Sequence, residues 1–113
     1  MPAETISWSD FEKVEILTGT IIGVEPFPKA RKPAYQLTID FGPGGIRRSS
    51  AQITTLYQPD QLIGKQIVAV VNFPPKQIAN FFSECLVLGA VAADGTVTLL
   101  QTERPVENGQ RIA

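Results

Sequence analysis

Apolar and polar residues alternate with period two over several short stretches of this chain, and no stretch sustains a helical period. Across residues 14–24, Val14, Ile16, Thr18, Thr20, Ile22 and Val24 fall on one side while Leu17 and Ile21 point to the other, which predicts a long first strand. Gly19 and Gly23 lie within it, and residues without Cβ allow the bulge or close bend that a sheet needs to curl on itself. Tyr35, Leu37, Ile39 and Phe41 alternate with Gln36, Thr38 and Asp40, the pattern of a half-buried second strand. Gly42-Pro43-Gly44-Gly45 then turns the chain into residues 46–53, a third strand rich in polar side chains. Residues 67–71 are apolar without alternation, as expected of a central fourth strand covered on both faces. Residues 84–92 predict a further strand, and Asp94-Gly95 turns it towards residues 97–100.

The segments between these strands carry their own signals. Ser9 and Glu12 have the spacing of a capping box for one helical turn, with Trp8 as its apolar staple. Prolines at 26, 28 and 33 remove ladder donors, so residues 26–33 form a stiff loop bearing Lys29, Arg31 and Lys32. Pro59-Asp60 opens a short helix that Gly64 ends, with Leu56, Leu62 and Ile63 towards the core. Asn72-Phe73-Pro74-Pro75 ends the fourth strand and begins a loop that runs to Phe82, while residues 105–113 are irregular and need a surface to pack on.

At 113 residues the chain is the size of one domain, and no linker, repeat or low-complexity tract divides it. The expected class is all-β: a Greek-key barrel of the OB-fold type, with one short helix before the fourth strand and small extensions at 1–12 and 105–113. By pattern alone an SH3-like barrel also fits. Residues 1–10 lack the basic start and apolar stretch of a secretory signal, and no apolar run is long enough to cross a bilayer, so a cytoplasmic protein without membrane insertion is expected. The single cysteine, Cys85, sits in an apolar run and reads as a small buried side chain in a reducing compartment.

Composition narrows the chemistry. The chain has no His, which removes the commonest metal ligand and general base, and no Gly-rich phosphate cradle or Cys/His spacing is present. Ser49 or Ser50 with Lys76 could in principle form a Ser-Lys pair, but no motif fixes its geometry. We therefore expect no enzyme, no cofactor and no metal. A net charge of −1 gives no general attraction to nucleic acid, so such binding must come from clustered cations. Arg47 or Arg48, Lys76 and the loop cations can supply phosphate contacts, or they are ordinary solvated charge; being adjacent on a strand, Arg47 and Arg48 point to opposite faces. Asn72, Ser83 and Glu84 can bond to sugar or base edges, or Glu84 can cap backbone. Phe73, Phe81 and Phe82 beside Pro74-Pro75 can form an apolar surface for a peptide, stack bases, or close the core or a dimer interface.

The run Asn72-Phe73-Pro74-Pro75-Lys76 followed by Ser83-Glu84-Cys85-Leu86-Val87-Leu88-Gly89-Ala90 resembles the signature of the tRNA-binding OB-fold family, with Cys85-Leu86 where Gly and Met are usual. Residues 11–16, 27–35 and 48–54 resemble in particular an export-related chaperone branch of that family. This resemblance implies an OB-fold homodimer, and the extensions at 1–12 and 105–113, with Trp8 and an irregular tail, are expected to serve its dimerisation. The resemblance further implies binding of unfolded precursor proteins, with tRNA as the alternative ligand. Asn72, Ser83 and Glu84 match positions of the family motif and, with Arg47, Arg48 and Lys76 from their charge, are the candidate RNA contacts; Phe73, Pro74, Pro75, Phe81 and Phe82, from their apolar character, are the candidate peptide contacts.

Overall fold

The longest strand, β1 (Ile16–Pro26), is shared between two partners. Its first half pairs antiparallel with β4 (Gln66–Val70), and its second half with β2 (Tyr35–Asp40). A register shift between Ile21 and Gly23 provides the bend. Gly19 lies where the strand presses on the core: a Cβ there would meet the Phe41 ring at 2.7 Å and Ile39 at 2.8 Å. β3 (Ile46–Ala51) pairs with β2 and β7 (Leu86–Val87) with β4, giving the order β3-β2-β1-β4-β7. The two edges, β3 and β7, meet and close an OB-fold barrel, as expected. The computed structural model describes residues 4–113, so the first three residues of the expected N-terminal extension lie outside the described residues.

The alternation of β2 is realised directly, with Tyr35, Leu37 and Ile39 buried and Gln36, Thr38 and Asp40 half-buried. Leu17 and Ile21 of β1 meet them inside, together with Phe41, Leu62, Ile67 and Leu99. Each such side chain contributes about 1.5–3 kcal/mol when fully covered. Phe27, Ala34 and Phe81 form a second, smaller cluster beneath the proline-rich loop.

Several elements differ from the sequence reading. The helix α1 (Trp8–Glu12) is capped by Ser7 and Asp10: Asp10 N–H donates to Ser7 Oγ and Ser7 N–H to the Asp10 carboxylate, each at 3.1 Å. An Asp at this position closes the box as well as a Glu, which moved the cap two residues earlier. Trp8 is the first helical residue and points outwards, 87% exposed, so it staples nothing. In α2 (Pro59–Leu62) only Leu62 is buried, because so short a helix presents a single side chain to the core; Leu56 and Ile63 stay about half exposed. The centre of the sheet is β1 rather than the strand at 67–71.

Residues 84–92 are two strands, not one. After β7, Leu88 donates its N–H to Val68 O at 3.0 Å and accepts from Leu100 N–H at 3.1 Å, so the chain changes partners there. β8 (Gly89–Val91) then pairs with β9 (Val97–Leu99) around the Asp94-Gly95 turn. The expected loop to Phe82 instead folds back as a hairpin of β5 (Lys76–Ile78) and β6 (Phe81–Ser83), with Ala79 left-handed at φ 53° in its turn. Among the described residues no helix is long and apolar enough to cross a membrane.

The irregular tail finds its surface inside the same chain. Thr18 N–H donates to Gln110 O, Gly109 N–H to Thr18 O and Ile112 N–H to Ile16 O, at 2.7–3.0 Å, so the tail runs along β1 beyond the end of β2. The buried Thr18 hydroxyl donates to Glu107 O at 2.8 Å and accepts from Gln110 N–H at 3.0 Å. Thr18→Val keeps the shape but leaves that carbonyl and N–H without their partner. We expect a loss of about 1–3 kcal/mol in urea unfolding, with the denaturant slope unchanged.

Candidate functional site

β3 ends the sheet, and its outward backbone groups need partners that β2 does not supply. The segment after β6 provides them largely with side chains. Ser50 N–H donates to Ser83 Oγ at 3.1 Å, and Arg48 N–H donates to Glu84 Oε1 at 3.0 Å. Glu84 N–H donates in return to Arg48 O at 2.8 Å. From inside the barrel, the fully buried Ser49 hydroxyl donates to Cys85 O at 2.9 Å. Ser83 and Glu84 thus stand in for a neighbouring strand and hold the barrel shut at this seam.

Most of the other polar residues singled out in the sequence also bond within the chain. Asn72 donates from Nδ2 to Lys13 O at 2.6 Å and accepts Glu15 N–H at 2.9 Å, tying α1's exit to the end of β4. Arg47 and Arg48 do point to opposite faces. Arg47 donates to Gly44 O and Val71 O at 3.3 and 3.1 Å. Arg48 donates to Gln36 Oε1 at 3.1 Å, and its guanidinium lies 4.4 Å from the centre of the Phe81 ring, a cation–π contact. Lys76, on β5 opposite Ser83, stays exposed.

The aromatic residues separate. Phe81 is only 3% exposed, with its ring 5.3 Å from that of Phe27, so it is core and not part of a peptide surface. Its neighbour Phe82 takes the opposite side of β6 and is 56% exposed. Phe73 is 55% exposed in the loop after β4.

Three adjoining cavities form one trough along the seam. The first, about 510 Å³, lies between the proline-rich loop and β5 and is bordered by Lys29, Arg31, Lys32 and Lys76. The second, about 430 Å³, follows the end of β3 past Ser50, Gln52 and Ile53 towards β7 and β8. The third, about 350 Å³, is an apolar pocket of Phe73, Pro74, Cys85 and Leu86 beside Lys76 and Ser83. Lys76 borders all three. Phe82 and Pro75 are exposed but do not line the trough. Sequence reasoning missed Leu86, because it lies in an apolar run that does not show which side chains face outwards; β7 is two residues long and turns Leu86 outwards. It also missed Gln52 and Ile53, whose role depends on where β3 ends. Among the described residues no group of three or more His, Cys, Asp and Glu gathers into a cation-binding cluster.

A family model described as a putative tRNA binding domain matches residues 16–111. Methionine–tRNA ligase of Porphyromonas gingivalis is 36% identical over 110 residues, covering 97% of this chain and 16% of that protein. The corresponding enzyme of Methanoregula boonei is 37% identical over 107 residues, covering 95% of this chain and 15% of that protein. The chain therefore spans about a sixth of the length of these curated relatives. Among solved structures, the chaperone CsaA from Bacillus anthracis matches with a TM-score of 0.93 at 50% identity, covering 97% of this chain and all of that one. The CsaA chaperone protein from Picrophilus torridus matches with a TM-score of 0.89 at 54% identity, covering 96% of this chain and all of that one.

Cys85 reports on the seam. Burial pushes its thiol up to about 11, with Ser49 and the charge of Arg47 opposing the rise. The unfolded chain releases this proton near 9 while the folded chain retains it, so folding stability falls as pH rises from about 9 to 11 and is unaffected by this group below that window. Thermal unfolding across this range is expected to show a downward slope that Cys85→Ala lessens.

Proposed function

We propose, from the premise that this chain belongs to the tRNA-binding domain family, that it is a non-catalytic cytoplasmic binding protein that holds extended apolar segments of unfolded precursor proteins in the trough. The observation that carries this reading is the pocket of Phe73, Pro74 and Leu86, where large apolar side chains face outwards on a rigid frame. Pro74 and Pro75 stiffen its loop and Asn72 anchors the loop's start, so the pocket is preformed and loses little entropy on filling. Full-length likeness to two CsaA chaperones supports holding over catalysis. Covering one such side chain is worth roughly 2 kcal/mol, which suits weak and reversible capture.

A second reading, tRNA binding, is favoured by the cations of the proline-rich loop and Lys76, a phosphate-sized patch at one end of the trough. We further propose that the protein acts as a homodimer. Ile6, Trp8 and Phe11 with Ala113 border an apolar cleft of about 470 Å³, a surface suited to burial against a second copy.

Replacing Phe73 and Leu86 together with Ser is expected to weaken binding of an unfolded precursor by about tenfold or more while leaving the melting temperature unchanged. Unchanged precursor binding would sink the holding reading. If tRNA is the ligand instead, Lys76→Ala lowers the logarithmic salt slope of tRNA binding by about one unit. Light scattering at micromolar concentration is expected to give a dimer mass, and Trp8→Glu the mass of one chain.

A further inference from the structure

The trough carries a pronounced charge bias. Four of the chain's ten Lys and Arg border its first cavity, and no Asp or Glu lines any of the three cavities, although the whole chain has 11 acidic residues. Glu84, next to the trough, has its carboxylate directed to the Arg48 N–H. The apolar pocket lies at the other end, and Lys76 joins the two.

We infer that the clients held here are extended segments in which an apolar side chain is flanked by acidic residues. This rests on the holding reading and specifies its substrate class. The apolar side chain fills the Phe73–Leu86 pocket. A neighbouring carboxylate meets Lys76, and further ones meet the loop cations as the segment runs past Ser50 and Gln52. A basic flank meets repulsion there, because among the described residues no Asp or Glu lines the trough to offset the cations. Peptide is preferred over RNA because the amide and hydroxyl groups beside the pocket that would read base edges are already engaged. Asn72 bonds to Lys13 and Glu15, and Ser83 to Ser50 N–H and Cys85 O.

The test uses two labelled, unstructured peptides that share one Leu- and Phe-containing core, one flanked by Asp and Glu and the other by Lys and Arg. Fluorescence anisotropy at low salt is expected to show the acidic-flanked peptide binding about tenfold tighter, as several exposed ion pairs together allow, with the gap narrowing as salt rises. Lys76→Glu, at an exposed position, is expected to keep the melting temperature and to shrink or reverse that preference. Equal binding of the two peptides, a basic preference, or an unchanged preference in Lys76→Glu overturns the inference while leaving the holding reading intact. Binding of neither peptide sinks the holding reading itself. Displacement of the acidic peptide by total tRNA, with Lys76→Glu abolishing tRNA binding and Phe73→Ser leaving peptide binding unchanged, makes the trough an RNA site and overturns the inference.

Discussion

Closure of the barrel depends on a small set of hydrogen bonds between the edge of β3 and the three residues that follow Phe82. An edge strand with free backbone groups invites pairing with any extended chain. Here Ser83 Oγ and Glu84 Oε1 accept the two outward N–H groups, at Ser50 and Arg48, and Glu84 N–H returns a bond to Arg48 O. Side chains used in place of a strand have a spatial consequence. They satisfy β3 for two residues and then stop, so the trough opens alongside the end of β3 and the residues just beyond it, Gln52 and Ile53.

The same bonds give a structural role to residues that a motif reading takes for ligand contacts. Asn72, Ser83 and Glu84 each fasten one segment of the barrel to another. Arg47 and Arg48 are likewise held by carbonyls, by Gln36 and by the Phe81 ring. What faces solvent along the seam is simpler: a stiff apolar pocket, a row of cations, and one lysine common to both.

Much of the barrel was legible in the chain because period-two burial is a local property. β2 could be read almost to the residue from Tyr35, Leu37 and Ile39, and the bend of β1 from its glycines. Errors arose where partners lie far apart in sequence. The break at Leu88 depends on Val68 and Leu100, and the outward turn of Leu86 on a strand only two residues long. The trough was legible only in pieces, since Lys29, Gln52, Phe73 and Leu86 come from four segments that only the closed seam brings together.

The tail along β1 also bears on the order in which the molecule assembles. Thr18 bonds to Glu107 and Gln110 across sequence separations of 89 and 92 residues. Contacts this remote carry a high loop-closure cost and slow folding. During synthesis β1 is made long before its final partner, and its outer edge beyond β2 stays unpaired until the tail arrives. For that interval the nascent chain exposes the kind of extended edge that invites misassociation, so a protein proposed to shelter unfolded segments passes through a stage in which it needs shelter itself.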